Sequence, residues 1–357
     1  MRVLVVNAGS SSLKLRLLGP GDELEAERDL GPDDHDALAA AAAELPRPDA
    51  IGHRVVHGGA RFREAVAIDA AVVDELRELV DLAPLHQPAA LAGIEAVARV
   101  LPGVPAVACF DTAFHATLPA AAATYALPLE WRERFGLRRF GFHGLSHAYA
   151  SRRAGMPRVV SCHLGAGASL AAVRDGRCVD TTMGFTPMEG LVMATRSGSV
   201  DPGLVLWLLR HGVDADALER GLDRDGGLRG LAGDPDMRAV LARDDDEARL
   251  ATDVYVHRLR AAIAAMAAAL DGLDVLVFTG GVGERAPAIR ERAAAGLGFL
   301  GIALDADANA RATADAEIGA PGAVARTLVV TAREDLEVSR QVRGLLDACG
   351  VSALHDE

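Results

Sequence analysis

The chain reads as an α/β protein with a duplicated design, and three observations predict this. Strand-like and helix-like segments alternate along it. A unit of strand, small-residue turn and strand occurs once in each half. The length, 357 residues of which half are hydrophobic and 24% charged, suffices for about two domains with ample core.

The elements follow in order. Val3 to Val6 is an apolar, β-branched run and predicts a buried strand. N-A-G-S-S-S then forms a turn of small residues. Leu13, Leu15 and Leu17 alternate with Lys14 and Arg16, a second strand with period two. This is not a Walker loop, which needs GxxxxGK[ST] opening a helix. The Ala-rich stretch near Ala39 to Ala43 has helical composition. Helices are predicted from Val72 to Leu82 and from Pro88 to Leu101, the second with proline in its first turn. Mid-chain, Val159 to Leu164 is a strand, GAGAS a glycine-rich turn, and Leu170 to Val173 a strand. Asp175-Gly176 turns a hairpin into Cys178 and Val179. Between Asp246 and Leu270 a long helix carries Val256, Leu259, Ile263, Met266 and Leu270 at 3-4-3-4 spacing. That stripe reads first as core packing and second as a subunit seam. Val275 to Phe278 is a strand running into T-G-G-V-G-E, and a helix follows Pro287. Segments 226–235 and 319–322 read as loops.

Composition excludes several classes. The formal charge is −13, from 37 basic and 50 acidic side chains, and aromatics are only 4%. Such a chain is a poor general binder of nucleic acid or anionic membrane, and no stretch has the length of a membrane span. The N-terminal apolar run is too short for a secretion signal. Cys109, Cys162, Cys178 and Cys349 form no CxxC and read as free thiols of a cytoplasmic protein. An anion must therefore be held by a local cluster of donors. One count points to such a cluster. Lys14 is the only lysine, the other 36 of the 37 basic residues being arginine, and Asn7 and Asn309 are the only asparagines. The sole lysine and one of two asparagines thus fall in one short motif, and Arg is no substitute for a compact ammonium at a tight site.

Other segments carry candidate chemistry. HRVVHGG places Arg54 at a strand end beside two glycines, suited to an oxyanion or, equally, to a surface turn. In CFDTAFH, Asp111 follows the apolar run Val104 to Cys109, at the strand end where α/β sheets hold ligands; a capping role competes. FHGLSH carries His143 and His147 at a zinc-like spacing but lacks the glutamate of HExxH. TRSGSVDPG carries Arg196 in a Gly/Ser loop, and Asp201 caps the helix that Pro202 opens. The two strand–turn–strand units expose backbone N–H groups that can nest an anion, although each alone reads equally as a plain hairpin.

Taken together, VLVVNAGSSSLK, HRVVHGG, CFDTAFH, FGFHGLSH, HLGAGAS, MGFTPMEG through TRSGSVDPG, GDPDMR and FTGGVGE resemble, in order and over almost the whole chain, the acetate kinase family. That family belongs to the acetate and sugar kinase, chaperone ATPase and actin superfamily. The resemblance implies two duplicated actin-like (ribonuclease H-like) domains around a central nucleotide cleft, one formed by residues 1–112 plus about 338–357 and one by 113–337. It implies Arg54, Asp111, His143 and Arg196 as catalytic residues. Asn7 and Glu334 match the magnesium-associated positions. Ser10, Ser12, Lys14, His163, Gly165 and Gly167 match the phosphate motifs, with Asp236, Met237, Arg238, Gly281, Val282 and Gly283 around the nucleoside. Arg54, Val56, Leu85, His86, Phe142 and Pro187 match the acetate site. The implied cofactor is Mg²⁺, with Mn²⁺ as substitute; the substrates are ATP and acetate, and the assembly a homodimer.

Ala166, Gln87, Ser199 and Arg285 depart from the residues usual in that family, and the region between Lys14 and His53 is shorter than in most members. Ala166 removes a polar side chain near the phosphates. The implied reaction needs no general base, because a carboxylic acid is already ionised at neutral pH. Competing readings are a propionate or butyrate kinase, a non-catalytic nucleotide-binding relative, and a zinc hydrolase built on the histidine-rich segments. Retention of Arg54, Asp111, His143 and Arg196 weighs against the second.

Overall fold

The computed structural model describes residues 1–8, 13–31, 34–84 and 86–350. They form two compact units. Met1–Ala116, Phe142–Tyr149 and the chain from Arg333 make the first; Thr117–Gly141 and Ala150–Ala332 make the second.

Each unit is built on a six-stranded sheet. In the first, β1 (Val3–Ala8), β2 (Leu13–Leu18), β3 (Leu24–Leu30), β4 (Ala50–Val55), β5 (Val66–Ala67) and β6 (Ala106–Phe110) lie in the order β3-β2-β1-β4-β6-β5. In the second, β7 (Arg158–Leu164), β8 (Ala168–Arg174), β9 (Arg177–Thr181), β10 (Val275–Thr279), β11 (Ala316–Glu317) and β12 (Arg326–Val329) lie in the order β11-β12-β10-β7-β8-β9. Read from its opposite edge, the second sheet repeats the first strand for strand. The pairing senses match as well: β1/β4 and β4/β6 are parallel, as are β7/β10 and β10/β12, and the remaining pairs in each sheet are antiparallel. The duplication expected from two strand–turn–strand units is thus a duplication of the whole sheet.

The period of two along β1 and β4 sorts their side chains between two cores. Leu4, Val6 and Ile51 pack with Leu38 and Ala42 of the helix His35–Glu44 and with Ala96 and Val97 of the helix Gln87–Val100. On the other face, Val3, Val5, Val107 and Cys109 pack with Val338, Val342 and Leu346 of the helix Glu334–Ala348. That helix approaches β4 closely: a Cβ on Gly52 would stand 2.4 Å from Val338 Cγ1. The absence of a side chain at Gly52 lets the helix lie against the sheet, and its first residue, Glu334, reaches the end of β4. In the second unit the helix Asp246–Ala269 packs on β7 and β8, with Val256, Leu259, Ile263, Met266 and Leu270 all buried, so the stripe is core.

Some local expectations are corrected. The helix expected over 72–82 is Ala70–Glu78 followed by a 3₁₀ turn, Val80–Leu82. The expected loop at 226–235 contains a helix, Gly227–Ala232, because its glycines bracket the helix: Gly226 is the N-cap and Gly233 the left-handed C-cap at φ +75°. T-G-G-V-G-E is likewise largely helical, over Gly280–Arg285. The edge strands β5 and β11, of two residues each, are too short to show an alternation in the sequence, and β3 is only weakly buried. Cys109, Cys162 and Cys178 are buried and Cys349 is exposed, and no disulfide joins them. Among the described residues no helix is long and apolar enough to cross a membrane.

Candidate active site

In the first unit the site grows from the ends of β1, β4 and β6. Antiparallel pairing sets Asn7 opposite Lys14, and parallel pairing sets Asn7 beside Arg54. Lys14, Asn7 and Arg54 therefore form one row across three neighbouring strands. The rare lysine and the rare asparagine are cross-strand partners. Arg54 is the centre of the polar cluster. Its Nε and Nη2 both donate to Asp111 Oδ2, at 3.0 and 2.6 Å, and its Nη1 donates to Asn7 Oδ1 at 3.1 Å. Glu334 Oε2 stands 3.9 Å from Nη1. The reading of Arg54 as a surface turn residue and of Asp111 as a plain cap is thereby set aside.

Burial pushes the Asp111 carboxyl up from its ordinary value, Glu334 adds to the effect, and Arg54 opposes it. Burial also works against the charge on Arg54, but Asp111 and Glu334 outweigh it and its pKa is raised. Asp111 is 1% exposed and its Oδ1 is buried without a hydrogen-bond partner. A carboxylate with an orphaned oxygen, an amide oxygen and a second carboxylate are the hard oxygen donors that Mg²⁺ takes, with water and substrate phosphates completing its shell. The donor set of Asn7, Asp111 and Glu334 fits that ion. Among the described residues no group of three or more His, Cys, Asp or Glu stands as a metal-binding cluster.

The FHGLSH segment belongs to the same unit for a local reason. Gly144 N–H donates to Asp111 O at 3.0 Å, and a Cβ on Gly144 would stand 2.0 Å from that oxygen, so only glycine fits. His143, just before it, adopts φ +55°, a left-handed conformation that costs energy for a non-glycine residue and clusters at functional sites. Phe142 is 1% exposed and its ring meets His57 edge-on at 5.5 Å. His115 contacts Phe142 O at 2.9 Å, and burial lowers both His57 and His115 to about 4. Val56 is buried and His86 half-buried. Gln87 is buried, its Nε2 donating to His57 O and Leu76 O. Ser10, Ser12 and Leu85 lie outside the described residues.

The second unit holds the other predicted residues. His163 is the penultimate residue of β7, and Gly165 N–H donates to Gly167 O at 2.9 Å, closing the glycine turn. Ala166, in place of a polar residue, is exposed there. Arg196 Nε donates to Asp223 Oδ1 at 2.9 Å, and its Nη1 reaches Pro187 O at 3.5 Å. Ser199 Oγ accepts from Gly190 N–H, closing the loop that bears Arg196. Asp236 caps the helix Met237–Leu241 and is held by Arg238; Met237 is buried, whereas Arg238 is exposed. Gly281 is exposed with no atom within 4 Å of a built Cβ, Val282 is half-buried and Gly283 buried. Asp223, which orients Arg196, was not anticipated. It ends the helix Ala215–Asp223 with no motif around it, and only its ion pair reveals it.

Two repeated sheets, with an arginine–carboxylate cluster at the parallel strand ends of the first, make a duplicated α/β protein whose charged cluster suits an oxyanion. The chain belongs to the acetokinase family, whose model matches residues 34–340. It is 47% identical to the acetate kinase of Trichormus variabilis, over 85% of this chain and 78% of that one. Among solved structures it is similar to the acetate kinase of Porphyromonas gingivalis, with a TM-score of 0.89 and 34% identity, covering 97% of this chain and 99% of the other. A propionate kinase from Francisella tularensis has a TM-score of 0.88 and 33% identity, covering 96% and 99%. The actin-like α/β architecture and the kinase class expected from the sequence stand.

Proposed function

We propose that the protein transfers the γ-phosphoryl group of ATP reversibly to acetate, giving acetyl phosphate and ADP, through the residues grouped around Arg54 and Arg196. The observation that carries this reading is the Arg54 cluster, in which Asp111 Oδ2 takes two of the guanidinium donors and fixes its plane. A fixed guanidinium suits the equatorial oxygens of a transferring phosphoryl group better than a mobile one, because no reorganisation is needed at reaction.

An acetate oxygen attacks the γ-phosphorus, the new O–P bond forms as the bond to the β-phosphate oxygen breaks, and ADP leaves with that electron pair. No proton moves. Asp111, already engaged by Arg54, acts as an orienting group and not as a base. Arg54 and Arg196 supply positive charge to the transferring group, Arg196 being held by Asp223 and Pro187 O. His143 takes a further equatorial oxygen, its position set by Gly144 against Asp111. Val56, Phe142, Pro187, His86 and Leu85 receive the acetate. Ser10, Ser12, Lys14, His163, Gly165 and Gly167 take the phosphates, with Asp236, Met237, Arg238, Gly281, Val282 and Gly283 around the nucleoside. Asn7, Asp111 and Glu334 would hold Mg²⁺, whose chemistry when bound is to neutralise charge on the ATP phosphates.

A domain division into residues 1–112 plus about 338–357 and residues 113–337, a homodimer and a cytoplasmic location belong to the same proposal. The test is acyl phosphate formation, trapped as hydroxamate, with acetate, propionate and butyrate at saturating MgATP. Acetate should give the highest kcat/KM, by a modest margin, since one methylene is worth about 1–3 kcal/mol. A preference for propionate or butyrate would transfer the reading to the longer-chain kinases, and no product with any acid would end it.

A further inference from the structure

The second unit contains a buried cation that the reaction does not use. Arg290, on the helix Pro287–Ala294, is 0% exposed and is the largest fully buried side chain among the described residues. Burial lowers its pKa, and no carboxylate contributes to the shift. Its donors go instead to neutral oxygens: Nε to Asn309 Oδ1 at 2.7 Å, Nη2 to Asn309 O at 2.6 Å, and Nη1 to Gly283 O at 2.9 Å and Glu284 O at 2.7 Å. Asn309 Nδ2 donates in turn to Pro287 O at 3.0 Å.

A buried charge without a counter-ion is an expensive way to fill a core, and an apolar side chain of similar volume is often neutral or stabilising in its place. What the guanidinium accomplishes is specific. Gly283 and Glu284 lie at the end of the helix Gly280–Arg285, where backbone carbonyls lack intrahelical partners and carry partial negative charge. Arg290 satisfies two of them with one nitrogen, and its planar fork is held from the other edge by Asn309. The rest of the segment is fixed as tightly. Gly280, at φ +78°, leaves no room for a Cβ, which would stand 2.8 Å from Leu164 O, and Glu284 Oε1 accepts from the N–H of Gly280 and of Ala332. Of the segment's glycines, only Gly281 has open space where a Cβ would stand. The two asparagines of this chain thus do the same work, each offering its side-chain oxygen to an arginine: Asn7 to Arg54, and Asn309 to Arg290.

We infer that Arg290, oriented by Asn309, is a positioning residue for the nucleotide: it holds the 281–283 segment in its binding conformation from below without touching the ligand. This rests on the reading of Gly281, Val282 and Gly283 as the nucleoside loop. A preorganised loop binds without the cost of ordering it, so loss of the clamp reduces nucleotide affinity and spares the acetate side.

The test uses ADP binding by calorimetry together with steady-state kinetics on the full chain. Arg290→Met is expected to raise the ADP Kd and the ATP KM tenfold or more. The acetate KM, and kcat at saturating ATP, should stay within twofold of the parent. Arg290→Lys should not restore affinity, since an ammonium lacks the planar fork. Asn309→Asp, which keeps the acceptor for Nε, should retain affinity within about threefold, whereas Asn309→Leu should behave as Arg290→Met. An unchanged ADP Kd in Arg290→Met, or a parallel change in both KM values and kcat with a lowered Tm, overturns the inference. If Arg290→Met does not fold, Asn309→Leu is judged by the same criteria. Gly281→Leu separates the two readings, because its side chain enters open space and meets only a ligand. If Gly281→Leu leaves ADP binding unchanged, the nucleoside loop itself is misassigned. If it weakens binding while Arg290→Met does not, only the clamp fails.

Discussion

Acid should weaken this protein at a pH well above that at which carboxylates protonate. Three histidines of the first unit, His53, His57 and His115, are at most 3% exposed. Burial lowers His53 to about 3 and His57 and His115 to about 4. In the unfolded chain each titrates near 6.5. Between those values the unfolded state binds more protons than the folded one, so stability rises with pH through this window and falls as the solution is acidified. The contribution is complete above about pH 7. From pH 7 to 5.5 each histidine costs on the order of 1.2 kcal/mol, and the three together about 4 kcal/mol. That is a large share of the 5–15 kcal/mol of a typical folded protein. Urea denaturation at pH 7.0 and 5.5, at fixed ionic strength and followed by circular dichroism, measures it directly. His53→Phe, which removes one titrating ring on the face of β4 opposite Arg54, should abolish about a third of the drop. A change below about 1 kcal/mol over this interval, or a His53→Phe variant with the full pH dependence, would show that these rings are not held neutral by burial.

Further outcomes follow from the site. Arg54→Ala should lower kcat by about 10²–10³ with little change in ATP binding, as loss of one transition-state donor does; near-normal kcat in the hydroxamate assay would remove Arg54 from the reaction. Asp223→Ala should lower kcat by releasing Arg196, and an Asp223→Ala, Arg196→Ala double variant should be no worse than Arg196→Ala alone; additive losses would mean that Asp223 acts elsewhere. Val56→Ala should lower the KM for propionate more than that for acetate, and equal changes would place Val56 outside the acyl pocket. Lys14→Arg keeps the charge but widens the group beside Asn7. It should lower kcat/KM for MgATP without lowering Tm, and a kinetically silent variant would leave the lone lysine to codon usage.

The amino-acid sequence by itself determined the strands that matter and the turns after them. Val3 to Val6, Val159 to Leu164 and Val275 to Phe278 are short apolar runs stopped by small residues, and such signals act over a few bonds. The family motifs, contiguous in the chain, were legible for the same reason. The tertiary structure decided what local signals do not carry. That Lys14, Asn7 and Arg54 stand in one row depends on how β2, β1 and β4 pair, and pairing is selected by burial of both sheet faces. Asp111 meets Arg54 across 57 positions because β6 and β4 are neighbours, and Glu334 arrives only because Gly52 admits its helix. Asp223 and Arg290 were illegible: each sits in a charged helical stretch that reads as solvent-facing, and neither has a motif around it. Their roles come from partners distant in the chain, Asp223 across 27 positions and Arg290 across 19, and a buried charge is recognised only when the oxygens that surround it are seen.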